Sequence, residues 1–173
     1  MLIINLYAPP GSGKSTGAAY VFAMLKMNGI NAELITEYAK DKAWENNTEA
    51  IDNQVYIFGQ QYYRITRCEN KVDVIVTDSP LLLSALYNHS EILGEKFNEL
   101  VAEIAKSYNT INYYINRVKP YNPAGRFQSE EESLAMDRKL RDLLDRYNIV
   151  YDNIDGCEEG YQHIVNDILC RLT

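Results

Sequence analysis

The chain has 173 residues, with 17 Lys and Arg against 24 Asp and Glu, for a formal net charge of −7. Hydrophobic residues at 46% and charged residues at 24% are those of an ordinary globular domain. That composition excludes a disordered, collagen-like or membrane-embedded chain and supplies enough apolar surface for a core without disulfide or metal scaffolding. The acidic balance excludes broad, non-specific attraction to nucleic acid, though a local basic groove remains compatible with it.

The first apolar stretch, Leu2-Ile3-Ile4-Asn5-Leu6-Tyr7, runs into Pro9-Pro10-Gly11 and reads as a buried strand entering a tight loop. It is too interrupted to span a membrane and lacks a basic leader, so a cytoplasmic location is expected. A helix is predicted over residues 14–26, ending near Asn28-Gly29, and a second strand over 30–36. Ile51, Val55, Phe58, Tyr62 and Ile65 recur at helical spacing and predict one apolar face. A third strand follows over residues 72–77, a helix around Leu93, Phe97, Leu100 and Ile104, and a fourth strand over 111–115.

Residues 116–128 hold two prolines, a glycine and three basic residues, which predicts an exposed loop long enough to move. Ser129 followed by Glu132 fits a capping box for a helix carrying Met136, Leu140, Leu143, Leu144 and Tyr147. Residues 149–154 predict a last strand, and Tyr161, Ile164, Val165, Ile168 and Leu169 a last helix. Without repeat or linker, residues 1–173 are expected to form a single domain with a mobile basic lid at about residues 116–130. Strands alternating with helices imply parallel pairing, hence a three-layer α/β/α sandwich with ligands beyond the strands' carboxyl ends.

Ala8-Pro9-Pro10-Gly11-Ser12-Gly13-Lys14-Ser15-Thr16 follows the first strand and opens a helix, the setting of a Walker A loop. Gly11 and Gly13 let the backbone wrap phosphates closely, and Ser12 lies between them. Lys14 would reach the β- and γ-phosphates of ATP, Ser15 would ligate Mg²⁺, and Thr16 would sit near the α-phosphate. Ala8 stands where the full pattern has its first glycine. Cys68, Cys157 and Cys170 form no CxxC pair and His89 and His163 stand apart, so no metal site of the protein's own is expected.

Asp78 ends the third strand, where it can hold Mg²⁺ or cap the segment that begins at Pro80. Glu37 follows the second strand and can act as the base for an acceptor hydroxyl, or serve as an ordinary surface carboxylate. Arg117, Lys119 and Arg126 lie on the loop, with Arg126 the preferred catalytic cation; a solvated basic loop is the competing reading.

Together the loop, Glu37 with Trp44 beyond it, Asp78-Ser79, the basic lid and Asp155-Gly156 resemble the nucleoside and nucleotide kinase group over nearly the whole chain. Thr36-Glu37-Tyr38-Ala39-Lys40 is similar to the ribosylnicotinamide kinase branch. Residues 118–128 resemble the lid of small bacteriophage P-loop kinases of the 5-hydroxymethyluridine DNA kinase kind, which would place the protein in a host cytoplasm. The resemblance implies a sheet order of 2-3-1-4-5, adenine contacts near Gly156, and an acceptor side lined by the helix bearing Gln61 and Arg64. Gln61 could pair with a base edge, Arg64 could grip a phosphate, and Tyr38 falls near the same cleft. Asp78-Ser79-Pro80 lacks the arginine found there in deoxynucleoside kinases, so their sugar recognition does not carry over. The expected reaction moves the γ-phosphoryl of ATP to a nucleoside, a nucleotide or a modified pyrimidine in DNA. The alternative is an ATPase or switch acting for a partner protein.

Overall fold

Six consecutive residues without a charge have no side to show to water, and β1 (Leu2–Tyr7) is buried along its whole length. In the computed structural model, which describes residues 1–120 and 129–172, every strand of the sheet is parallel to its neighbours. β1 pairs with β3 (Val74–Thr77) on one edge and β4 (Asn109–Asn116) on the other. β2 (Ala32–Ile35) flanks β3 and β5 (Asp152–Asp155) flanks β4, giving the order β2-β3-β1-β4-β5. This is the three-layer α/β/α fold and the strand order expected.

The period of two along β1 sorts its side chains between two helical layers. Leu2, Ile4 and Leu6 pack with α1 (Lys14–Met27) and α8 (Glu158–Leu172), where Val21, Leu25, Ile164 and Ile168 are fully covered. Ile3 and Tyr7 face the opposite layer. There Phe58 of α4 (Gln54–Thr66), Phe97 and Val101 of α6 (Gly94–Lys106), and Leu140 and Leu144 of α7 (Glu130–Arg146) close the core. Short helices α2 (Tyr38–Trp44), α3 (Thr48–Asp52) and α5 (Leu83–Leu86) fill the turns after β2 and β3. No helix among the described residues is long and apolar enough to cross a membrane.

Several local expectations are corrected. The single apolar face over residues 51–65 is split at Asn53, whose side chain accepts from the Tyr56 amide at 3.1 Å and starts α4. The buried stripe of α4 is Gln54, Ile57, Phe58, Gln61 and Ile65, while Val55 is 48% exposed. The stripe rotates toward two glutamines that find backbone partners: both ends of the Gln61 amide are bonded, and Gln54 Nε2 donates to the Ile51 carbonyl at 2.8 Å, although Gln54 Oε1 has no partner among the described residues. On α6 the covered residues are Phe97, Val101 and Ala102, and Leu100 points outward. β3 starts at Val74 and β5 at Asp152, both later than expected, with Val150 exposed ahead of β5.

The capping box forms as read: Ser129 Oγ accepts from the Glu132 amide at 3.1 Å, and Glu132 Oε2 accepts from the Ser129 amide at 2.6 Å. Leu25 is fully covered between α1 and the sheet. Leu25→Ala is therefore expected to cost about 2–5 kcal/mol in urea or guanidinium unfolding, through lost transfer energy and the cavity left behind.

Candidate functional site

Between Tyr7 and Lys14 the chain turns from β1 into α1, with Gly11 at φ 91° and Gly13 at φ 96°. Those left-handed values suit glycine and strain other residues. Pro9 and Pro10 carry no N–H, so the donors that the loop can offer an anion start at Gly11. Its carbonyls are taken up by side chains within and beyond the loop: Lys14 Nζ donates to the Ala8 carbonyl at 2.8 Å and Ser133 Oγ to the Pro10 carbonyl at 2.8 Å. The Gly13 carbonyl accepts from the Tyr161 hydroxyl at 3.0 Å and from the Gly17 amide at 2.8 Å.

The Ser12 hydroxyl is buried without a hydrogen-bond partner among the described residues, whereas Ser15 and Thr16 are exposed at the start of α1. Gly156, just after β5, presses against the Ser12 carbonyl so closely that a Cβ there would collide with it. Its amide donates to the Asn116 carbonyl at 2.9 Å. The β5–α8 turn is thus a wall of the loop.

Two carboxylates come to the same edge of the sheet. Asp78 follows β3 and is buried, and its Oδ1 accepts from the backbone amide of Glu37, the residue that opens α2, at 3.1 Å. Burial above all raises the Glu37 carboxyl above the ordinary glutamate range; the Lys14 ammonium opposes that rise and the Asp78 charge adds to it. Lys14, Glu37 and Asp78 therefore share one electrostatic neighbourhood. Tyr87, just past α5, belongs to it as well, its phenol raised by burial and then by the Glu37 charge.

The β2–α2 turn is clamped from α4. Gln61 Oε1 accepts from the Tyr38 amide at 3.0 Å and its Nε2 donates to the Thr36 carbonyl at 3.3 Å, so both ends of this amide serve the backbone on either side of Glu37. Arg64 donates to the same Thr36 carbonyl at 3.1 Å, pairs with Asp41 at 2.6 Å, and lies 4.9 Å from the centre of the Tyr38 ring. The Tyr38 hydroxyl is bonded to that of Tyr56. Phe58 stacks on Tyr62 at 5.8 Å and meets Phe97 edge-on, which makes it part of the core.

Arg117, just beyond β4, forms an ion pair with Glu130 of α7 at 2.9 Å, and Lys119 is exposed. Arg126 and most of the expected lid lie outside the described residues. Sequence reading missed Tyr87, Ser133 and Tyr161. Ser133 had a signal, a polar residue seven positions before Leu140 on a buried helix face; Tyr87 and Tyr161 were two of fourteen tyrosines.

A glycine-bearing loop ending in Lys14-Ser15, set between the first strand and first helix of a parallel sheet of this order, defines a P-loop NTPase, a nucleotide-binding protein. The chain belongs to the AAA domain family, whose model matches residues 3–159. It is also 29% identical over 140 residues to the RecA protein of Macrococcus caseolyticus (strain JCSC5402), a match covering 68% of this chain and 38% of that relative. Identity is 32% over 108 residues with RecA of Roseiflexus sp. (strain RS-1), covering 57% of this chain and 29% of the relative. With RecA of Clostridium tetani (strain Massachusetts / E88) it is 25% over 194 residues, covering 99% of this chain and 53% of the relative. The chain thus spans about half or less of the length of these relatives.

Gln61 supplies a test of the site's scaffold that does not involve a ligand. Gln61→Leu keeps the volume but leaves the Tyr38 amide without its side-chain acceptor and the Thr36 carbonyl with one donor fewer. The expected loss is about 1–3 kcal/mol of unfolding free energy, read by chemical denaturation.

Proposed function

We propose that the protein is an ATP-dependent kinase, a single-domain P-loop phosphotransferase of the cytoplasm that moves the γ-phosphoryl of ATP to a hydroxyl. The observation that carries this reading is the meeting of Glu37, Asp78 and Lys14 at one edge of the sheet, with the Glu37 carboxyl raised. The loop fits a polyphosphate, having two left-handed glycines and a buried serine hydroxyl still lacking a partner among the described residues. Ser15 and Asp78 offer oxygen donors of the kind Mg²⁺ takes, alongside phosphate oxygens. Bound there, the metal would neutralise charge developing on the transferring group.

Gly11, Ser12, Gly13, Lys14, Ser15 and Thr16 hold the phosphates in this reading, with Arg117 beside them and Gly156 at the adenine side. Glu37 takes the proton of the acceptor hydroxyl while that oxygen bonds to the γ-phosphorus and ADP leaves with the bridging oxygen. Arg126, carried on the lid, counters the charge of the transition state. Tyr38 and Arg64 line the acceptor side, and Gln61 holds the turn on which Tyr38 and Glu37 sit. The strand order and the lid sequence support the nucleoside and nucleotide kinase likeness, so the acceptor is a nucleoside, a nucleotide or a modified pyrimidine such as 5-hydroxymethyluridine in DNA. The RecA matches support a second reading, an ATPase or switch hydrolysing ATP for a partner protein.

Incubation with labelled ATP and Mg²⁺ against nucleosides, nucleotides and hydroxymethylated DNA separates the two. Label on one acceptor class supports the kinase; label released only as inorganic phosphate supports the ATPase.

Two variants sharpen the assignment. Lys14→Ala removes a charge-assisted contact worth about 1.5–3 kcal/mol and should weaken ATP binding by roughly tenfold or more in calorimetry, abolishing turnover. Glu37→Gln should spare ATP binding and remove transfer. A base must be deprotonated to act, and Glu37 is raised, so the rate should rise with pH along a limb above the ordinary glutamate range. An acid limb at the ordinary glutamate value, or transfer by Glu37→Gln at the original rate, would remove Glu37 from the role of base.

A further inference from the structure

Main-chain amides can surround an anion only if the neighbouring carbonyls point away from it. In a planar trans peptide the N–H and C=O bonds point in opposite directions, so fixing a carbonyl outward aims the next residue's amide the other way. Two peptides of the loop are fixed in this manner from outside. Ser133, 1% exposed on α7, donates to the Pro10 carbonyl at 2.8 Å, which sets the direction of the Gly11 amide. Tyr161, 4% exposed on α8, donates to the Gly13 carbonyl at 3.0 Å, which sets that of the Lys14 amide. The Tyr161 ring reaches the loop because Gly13 and Gly17 have no Cβ; one built on Gly17 would lie 2.6 Å from the ring.

We infer that Ser133 and Tyr161 are positioning residues for the phosphates, each turning one loop amide toward the polyanion by holding the carbonyl of the same peptide. The inference rests on the nucleotide-binding reading of the loop and is independent of phosphoryl transfer. It also ranks the two residues. Among the described residues Ser133 is the donor that meets the Pro10 carbonyl, whereas the Gly13 carbonyl keeps the Gly17 amide at 2.8 Å if the phenol is lost. Ser133 lies in the first turns of α7, so it ties the start of that helix to the loop itself.

The test measures binding of Mg²⁺·ATP and of Mg²⁺·tripolyphosphate to the wild type, Ser133→Ala and Tyr161→Phe by calorimetry, with the melting temperature of each. Ser133→Ala should weaken both ligands by the same factor, about five- to thirty-fold, and Tyr161→Phe by about two- to five-fold. A merely structural role would lower the melting temperature without an equal loss for the two ligands. Unchanged tripolyphosphate affinity in the folded variants, or a loss confined to ATP, overturns the inference. Should Ser133→Ala not fold, Tyr161→Phe, which keeps the ring and its packing, decides alone. A wild type that binds neither ligand overturns the nucleotide reading beneath it.

Discussion

Pairing on both edges and cover on both faces leave β1 no freedom to shift, and that constraint decides where the chain leaves the sheet. Asn5 lies opposite Thr77 of β3, and Thr77 opposite Ile35 of β2. Because all three strands run in the same direction, the residues that follow them emerge along one edge. The glycine loop, Asp78 and Glu37 become neighbours through register alone, before any side chain contributes. The Glu37 amide then closes on Asp78 at 3.1 Å, which joins the ends of β2 and β3. A one-residue slip of any of these strands would swap the side chains that face the two helical layers and shift its functional residue along the edge.

The electrostatic character of the cluster follows from that proximity. A carboxyl taken out of water favours its neutral form; a nearby ammonium works against this and a nearby carboxylate with it. Glu37 experiences all three, with burial dominant. Its charge in turn adds to burial in raising the half-buried phenol of Tyr87, a residue some fifty positions further along the chain. The formal charge of −7 does not prevent an anion from approaching, since exposed charges more than about 8 Å away are largely screened at physiological salt. Lys14, the loop amides and the Glu37 and Asp78 carboxylates are the groups close enough to shape the local field.

The strands and the loop were legible in the sequence because they rest on short-range rules. An uncharged run ending in Pro-Pro-Gly, and glycines at two left-handed positions ahead of Lys14, need little tertiary context. Ser129 and Glu132 satisfy one another within a single turn, and their capping box forms as read. The face of α4 was not legible in the same way. Apolar periodicity put Val55 inward, whereas Gln54 and Gln61 are buried because backbone partners lie within reach. The partner of Gln54 lies three residues back, whereas those of Gln61, 23 and 25 residues away, are set by tertiary packing, which hydrophobic spacing cannot register. Ser133 and Tyr161 were missed for the same reason: their acceptors lie 123 and 148 residues away.

That long separation bears on how the site holds its shape. A loop built on glycines has little intrinsic preference for one conformation, and Gly11 and Gly13 would cost conformational entropy to fix. Here the fixing groups come from α7 and α8, which flank β5 in the chain, and from the β5–α8 turn at Gly156. The ordering of the first loop therefore depends on the last third of the protein being docked. Local propensity puts the glycines where they can bend, and the sheet's far edge determines which bend they take.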